Sequence, residues 1–257
     1  MTTDVKKAIV TGASSGIGKA ICDSLVEKGW TVYGIGRDFN KCREEDQSEI
    51  SITEELQKAD ELKSAEASEN RMIEIVCDIT DTQKLTKTIK ELNKNHDIAL
   101  LINNAGVGYY GLHEELNPGK IARMVRTNFE APMVLTNLLL RDLKKNHGII
   151  INISSITAEK TNPHGCAYGA TKAGLTSFSH SLFEEARKYG VRVINIEPDM
   201  TVTNLYRNAD FTADDEENAR ILPQEVADAV IFAIEQRNGL VMTDITIRPQ
   251  LHRIKKK

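Results

Sequence analysis

A chain of 257 residues, 40% hydrophobic and 27% charged, can enclose an α/β core without help from disulfides or metal ions. Its formal net charge of -4 argues against a nucleic-acid surface, which needs clustered positive charge, and the basic end Arg253-Ile-Lys-Lys-Lys257 reads as a solvated tail. No apolar run approaches membrane-spanning length and the first residues lack a signal peptide's apolar core, so a cytoplasmic location with no membrane partner is expected.

The apolar run Ala8-Ile-Val10 begins a strand expected over 7–10, and the turn Thr11-Gly-Ala-Ser-Ser-Gly-Ile-Gly18 leads into a helical pattern at 17–28 with Gly29 as its cap. A strand at 31–35 ends in Gly36-Arg37-Asp38. Residues 41–70 carry many acids and few apolar residues; they read as a solvated, charge-rich insertion, capped at Ser51-Ile-Thr-Glu54, or as an acidic docking patch. A strand at 72–77 leads to Asp78-Ile79, and Thr80-Asp-Thr-Gln83 has capping-box spacing for a helix at 82–95. Strands follow at 99–102, 149–153, 191–196 and 240–247, with helices at 118–145, 167–188 (capped at Gly190) and 223–236. Most of these strands are β-branched and apolar on both faces, as in a sheet covered on each side. The β-α-β rhythm predicts one α/β domain over 1–257. It is a doubly wound (Rossmann) parallel seven-stranded sheet with helices on both faces, and a polar lid at about 199–222.

Two features carry chemistry. Gly12, Gly16 and Gly18 give a sharp strand-to-helix turn, a close approach to a pyrophosphate and tight helix packing, with Ser14 and Ser15 as phosphate donors. Tyr168-Gly-Ala-Thr-Lys172 places a cation one helical turn from a phenol, which is how a group with a pKa near 10 becomes a usable acid or base. A nucleotide site plus an activated phenol points to hydride transfer coupled to proton transfer. The four cysteines and six histidines show no metal-ligand spacing, so no metal is expected. Cys22 and Cys77 read as core, and Cys166 as a thiol packed in a pocket wall.

Asn103-Asn-Ala-Gly106 follows the fourth strand, Asn152-Ile-Ser-Ser155 lies at the end of the fifth, and Tyr168-x-x-x-Lys172 begins the next long helix. With the glycine turn, these ordered motifs resemble the short-chain dehydrogenase/reductase family in its single-domain form, from Ala8 to Arg248. The resemblance implies that Ser155 bonds the substrate oxygen, that Tyr168 is the acid/base, and that Lys172 bonds the nicotinamide ribose and lowers the phenol's pKa. Ser154 would point into the sheet. Asn128, in Arg126-Thr-Asn128, matches the fourth catalytic residue. Pro132 cannot donate to the carbonyl of Asn128, so it either frees that carbonyl for a proton-relay water or simply kinks or starts a helix. Asp78 matches the adenine contact and Thr203 a cofactor contact, and the resemblance adds Ile17, Ile79, Asn104, Ala105, Gly106, Pro198 and Thr201 to that set.

Gly36 stands where an NAD enzyme usually places a carboxylate, and Arg37 follows with charge for a 2′-phosphate, so NADP is favoured over NAD; a one-residue shift would hand the ribose to Asp38 instead. The family's usual Pro-Gly after the sixth strand is Pro198-Asp199 here. Asp199 reads as an outward loop acid or as a carboxylate favouring the oxidised nicotinamide. Substrate contacts are expected from 107–110, 156–165 and 203–222, where Tyr109, Tyr110, Asn162 and His164 make a mixed lining; His164 either caps its loop or binds a carboxylate. The segment Met242-Thr-Asp-Ile-Thr-Ile-Arg-Pro249 resembles a bacterial branch that oxidises small 3-hydroxy acids. The expected protein is thus an NADP(H)-dependent oxidoreductase acting on a small carbonyl or alcohol substrate, a homodimer or homotetramer through the helices at 118–145 and 167–188. The alternatives are a catalytically idle NADP(H) sensor or scaffold, or epimerisation or dehydration on the same fold.

Overall fold

The computed structural model describes residues 6–39, 70–95 and 97–257, so the insertion at 41–70, apart from Asn70, lies outside the described residues, as does its cap at Ser51. The main strands are β1 (Lys7–Thr11), β2 (Thr31–Gly36), β3 (Met72–Val76), β4 (Ile98–Asn103), β5 (Ile149–Ile153), β6 (Arg192–Pro198) and β8 (Asp244–Ile247), with β7 (Phe211–Ala213) preceding β8 in the chain. The seven form one parallel sheet in the order β3-β2-β1-β4-β5-β6-β8. The chain winds one way from β1 to β3 and the other way from β4 onward. That reversal opens a crevice at the carboxyl ends of β1 and β4.

Period-two alternation distributes the strand side chains to two cores. Ala8 and Val10 of β1 and Ile149, Ile151 and Ile153 of β5 face a layer made by α1 (Gly16–Glu27) and α6 (Pro223–Ile234). Ile9 and Ile150 face the opposite layer, built from α2 (Thr82–Leu92), α4 (Ala131–Lys145) and α5 (Cys166–Ala186). Strands covered on both faces have little room for polar residues, which is why they read as near-continuous aliphatic runs. Cys22 and Cys77 are buried here, as expected, whereas Cys166 is exposed at the start of α5 and not packed in a wall.

Gly29 and Gly190 adopt φ of +88° and +77°, the left-handed conformation of a helix cap. Elsewhere the local expectations shift. The cap of α2 is Asp81, not Thr80: its carboxylate accepts from the N–H groups of Gln83 and Lys84. The predicted helix at 118–145 is three pieces, α3 (Pro118–Val125), a π-helical turn at Arg126–Glu130, and α4. The last strand spans four residues, not eight. The basic end is exposed, as expected of a solvated segment, but it is not a free tail: β9 (Ile254–Lys256) pairs antiparallel with β7. Among the described residues no helix is long and apolar enough to cross a membrane.

Removing a capping side chain leaves helix N–H groups unpaired. Asp81→Ala should therefore cost about 1 kcal/mol in urea unfolding while leaving turnover unchanged. An unchanged midpoint would mean that the cap contributes nothing.

Candidate active site

Gly12 follows β1, and its φ of +69° turns the chain sharply under the N-terminus of α1. A Cβ at Gly18 would stand 2.1 Å from the carbonyl oxygen of Gly12, so no larger residue can occupy that position. The turn is tied to β4 from the side. The Thr11 hydroxyl accepts from the N–H groups of Asn104 and Ala105 at 3.0 Å each, and the Asn104 amide donates to the carbonyls of Thr11 and Gly12 at 2.9 and 3.3 Å. Ser15 is the N-cap of α1, yet its side chain makes no bond to the helix N–H groups. An anion above this turn would meet unpaired backbone donors, the positive end of a helix dipole and serine hydroxyls.

One cleft runs from this turn in both directions. At one end stand Arg37, Asp78, Ile79, Thr80 and Arg123. Burial alone would raise the Asp78 carboxyl, but bonds from the Thr80 N–H and hydroxyl, with Arg37 and Arg123 nearby, hold it below the usual aspartate value. The Phe39 ring packs directly over Gly36, where an added Cβ would lie 2.8 Å from it and force the ring aside. Arg37 lines the cleft and Asp38 does not.

At the other end lie Ser155, Tyr168 and Lys172. Consecutive residues of the segment leaving β5 face opposite ways. Ser154 points inward, donating to the Lys172 carbonyl at 3.1 Å and pairing with the Thr176 hydroxyl at 2.9 Å. Ser155 faces the cleft, accepts from the Thr157 N–H and hydroxyl, and hydrogen-bonds the Tyr168 phenol. Lys172 is nearly completely buried, donates to the Ile153 carbonyl at 2.7 Å, and has its ammonium 5.9 Å from the centre of the Tyr168 ring. Burial pushes the phenol up to about 12, only partly opposed by the Ser155 bond, and desolvation pulls Lys172 down to about 8. The sequence implied a phenol lowered by Lys172. In the protein alone the group that lowers the phenol is Ser155, and desolvation outweighs it.

Of the other expected residues, Gly12, Ser14, Ser15, Gly16, Ile17, Asn104, Ala105, Gly106, Pro198, Thr201 and Thr203 also line the cleft. Gly18 and Asn128 do not. Asn128 is fully buried behind it, its amide bonded at both ends to the backbone of Val107 (2.8 and 2.9 Å) and to the Thr171 hydroxyl at 3.1 Å. The distortion expected from Pro132 is the π turn, in which the Ala131 N–H reaches back to the carbonyl of Arg126. His164 is exposed with φ of +64°, and its carbonyl accepts from Gly111, a loop-holding position. Tyr109 lies under Lys120, whereas Tyr110 stacks 5.6 Å from the Tyr168 ring. Asp199 is not an outward acid. Its side chain is 4% exposed, accepts from the Met200 N–H, and faces Arg248 at 3.5 Å.

Arg123, from a helix with no motif, lines the cleft without having been expected there, whereas Leu205, Tyr206 and Arg207 belong to the 203–222 segment from which substrate contacts were expected. Among the described residues no group of three His, Cys, Asp or Glu side chains could hold a metal ion. The glycine turn, the helix N-terminus and the basic far end do fit a phosphorylated dinucleotide.

The short chain dehydrogenase family model matches residues 6–213. The protein belongs to the short-chain dehydrogenase family. It is accordingly an oxidoreductase by family. It is 30% identical to an uncharacterized oxidoreductase of Staphylococcus saprophyticus, over 95% of this chain and 97% of that protein. It is 29% identical to a probable NADP-dependent dehydrogenase of Haemophilus influenzae, over 94% and 92% of the two chains. A metagenomic short-chain oxidoreductase solved in complex with NADP superimposes with a TM-score of 0.72 at 26% identity, over 96% and 98% of the chains.

The buried ammonium has a measurable consequence for stability. The fall of Lys172 from 10.5 to about 8 amounts to about 3 kcal/mol of cost below pH 8, offset in part by its hydrogen bond. Between those pKa values the unfolded chain binds the proton and the folded one does not, so wild-type stability climbs with pH there. Lys172→Met should therefore gain about 1–2 kcal/mol at pH 7, with the gain shrinking as pH rises from 8 toward 10.5. A gain that widens with pH in urea unfolding would contradict this assignment.

Proposed function

We propose that the protein interconverts an alcohol and a carbonyl on a small molecule with NADP(H), Tyr168 serving as the acid/base. The observation that carries this reading is one cleft with the Ser155–Tyr168–Lys172 set at one end and Arg37, not Asp38, at the other. A binding protein without chemistry has no use for a phenol and an ammonium buried side by side.

NADP(H), when bound, supplies or accepts the hydride. Gly12, Ser14, Ser15, Gly16 and Ile17 would hold the pyrophosphate, with Gly18 allowing the turn beneath it. Arg37 would pair with the 2′-phosphate, and Asp78 and Ile79 would meet the adenine. Asn104, Ala105, Gly106, Pro198, Thr201 and Thr203 would form the walls toward the nicotinamide, with Tyr168 and Lys172 beside the ribose. Ser155 bonds the substrate oxygen and, through its bond to the phenol, aligns it with Tyr168. Tyr168 then gives its proton to the developing alkoxide, or takes one from an alcohol in the reverse direction. Lys172 supplies positive charge that favours the phenolate, and Asn128 orients the Val107 segment and the start of α5 behind it. The π turn is part of the same reading: Pro132 leaves the Asn128 carbonyl free to hold a water that relays protons to Lys172. The protein works in the cytoplasm as a dimer or tetramer through α3, α4 and α5.

Tyr168→Phe should reduce turnover of NADPH with small aldehydes and ketones by about 10²–10⁴-fold while NADPH binding survives. Tight NADPH binding with no turnover in the wild type would favour a sensor. A preference for NADH would transfer the cofactor choice to Asp38.

The phenol, raised to about 12, stays protonated through neutral pH. Carbonyl reduction should therefore be nearly flat from pH 6 to 8, and alcohol oxidation, which needs the phenolate, should rise with pH. Oxidation that falls as pH rises would remove Tyr168 from the acid/base role.

A further inference from the structure

The segment that reads as a solvated tail is closely tied to the loop beside the cleft. β9 lies antiparallel to β7, with Phe211 opposite Lys256 and Ala213 opposite Ile254. Leu251 N–H donates to the Asn218 carbonyl and Lys257 N–H to that of Asp210, each at 2.8 Å. Arg253 pairs with Glu216, and Lys255 with Asp215. At the base of the loop the buried Asp199 carboxylate faces Arg248 at 3.5 Å and His252 at 3.7 Å.

What that loop carries is aromatic. Tyr206 and Phe211 have ring centres 5.6 Å apart, and both meet Tyr110, at 6.2 and 5.1 Å. Tyr110 in turn lies 5.6 Å from the ring of Tyr168. These separations are those of favourable aromatic pairs. Burial holds the Tyr110 and Tyr206 hydroxyls well above the usual phenol value, so both present neutral surfaces. Leu205 and Met200 fill the gaps between the rings. A continuous line of contact therefore runs from the Lys255–Asp215 ion pair, through β9 and β7, to Phe211, Tyr110 and Tyr168. A two-stranded ribbon and exposed ion pairs are each weak, so this attachment can be loosened without unfolding the domain.

We propose that residues 248–257 form a strap that holds the Tyr110–Tyr206–Phe211 wall against Tyr168 and so sets a preference for flat, uncharged carbonyl substrates. This deepens the reading of Tyr168 as the acid/base and rests on it. It departs from the hydroxy-acid class suggested by the resemblance at 242–249, because the side chains packed around Tyr168, namely Val107, Tyr110, Met124 and Leu205, carry no charge.

The test uses the full chain with Lys255→Glu, Asp215→Lys and the two combined, which restores the pair with reversed sign. An arginine-specific protease reads the attachment directly, through cleavage after Arg207 and Arg220, and needs no turnover. Each single variant should be cut about threefold faster, the size of one exposed ion pair, and the combined variant should return toward wild type. With 4-nitrobenzaldehyde the single variants should raise KM by a similar factor, leaving kcat and the KM for NADPH unchanged. In the wild type, 4-carboxybenzaldehyde should show a KM at least about tenfold higher than its uncharged counterpart. Equal cleavage in all four proteins, or no recovery in the combined variant, overturns the strap. Equal KM values for the two aldehydes overturn the preference for uncharged substrates. Turnover of no carbonyl at all overturns the oxidoreductase reading instead, and the cleavage result still stands by itself.

Discussion

Lys172 has to keep an ammonium where water hardly reaches it, and much of the surrounding structure is arranged around that requirement. Its Nζ is anchored on the Ile153 carbonyl at the end of β5, while Ser154, the next residue, bonds the carbonyl of Lys172 itself. Below these, Thr176 links Ser154 to the buried Glu197 carboxylate on β6, which also accepts from Asn195. Burial raises that carboxyl, and its hydrogen bonds only partly oppose the rise. A lysine placed this way cannot shift by an ångström without breaking its bonds to Ile153 and Ser154. Its distance from Tyr168 is therefore set by the sheet and not by the flexible stem of the side chain.

The same economy of space governs the rest of the cleft. Gly106 faces Lys172 and Asn128 at contact distance for an added Cβ, with 3.8 Å to the ammonium nitrogen. Asn128 in turn keeps the Val107 segment straight by bonding both its N–H and its carbonyl. The π turn contributes here, since an extra residue in the helix rotates Asn128 toward Val107 and Thr171. At the opposite end, Thr11 and Asn104 lock the glycine turn to β4, so the two halves of the cleft are positioned by adjacent strands. That adjacency exists because the chain reverses its winding direction between β3 and β4.

The sheet was legible because its strands are buried on both faces: five consecutive residues such as Ile149-Ile-Ile-Asn-Ile153 leave few other options. The site was legible for a different reason, since the glycine turn and the Tyr168/Lys172 spacing are local. Signals that depend on distant partners were lost. Lys255 reads as unattached until Asp215, forty residues earlier, is placed beside it. Strands of three residues, such as β7 and β9, are too short for alternation to register. Spacing on the Tyr168 helix reveals a neighbouring charge but not the desolvation that raises the phenol.

Asp199 joins these threads. Where the family usually has glycine, this chain buries a carboxylate at the mouth of the cleft, and an unpaired buried carboxylate is costly. One oxygen is satisfied locally by the Met200 N–H. The other faces Arg248 and His252, which the chain supplies only after completing β8. The departure from the family pattern and the ordered 248–257 segment are thus two sides of one feature. An aspartate at this position is tolerable because that segment returns to it, and the segment returns to a fixed place because the aspartate is there. A glycine at 199 would relax the loop and also remove the anchor, so the path beside Pro198 and the position of the Tyr206 loop are properties of the same carboxylate.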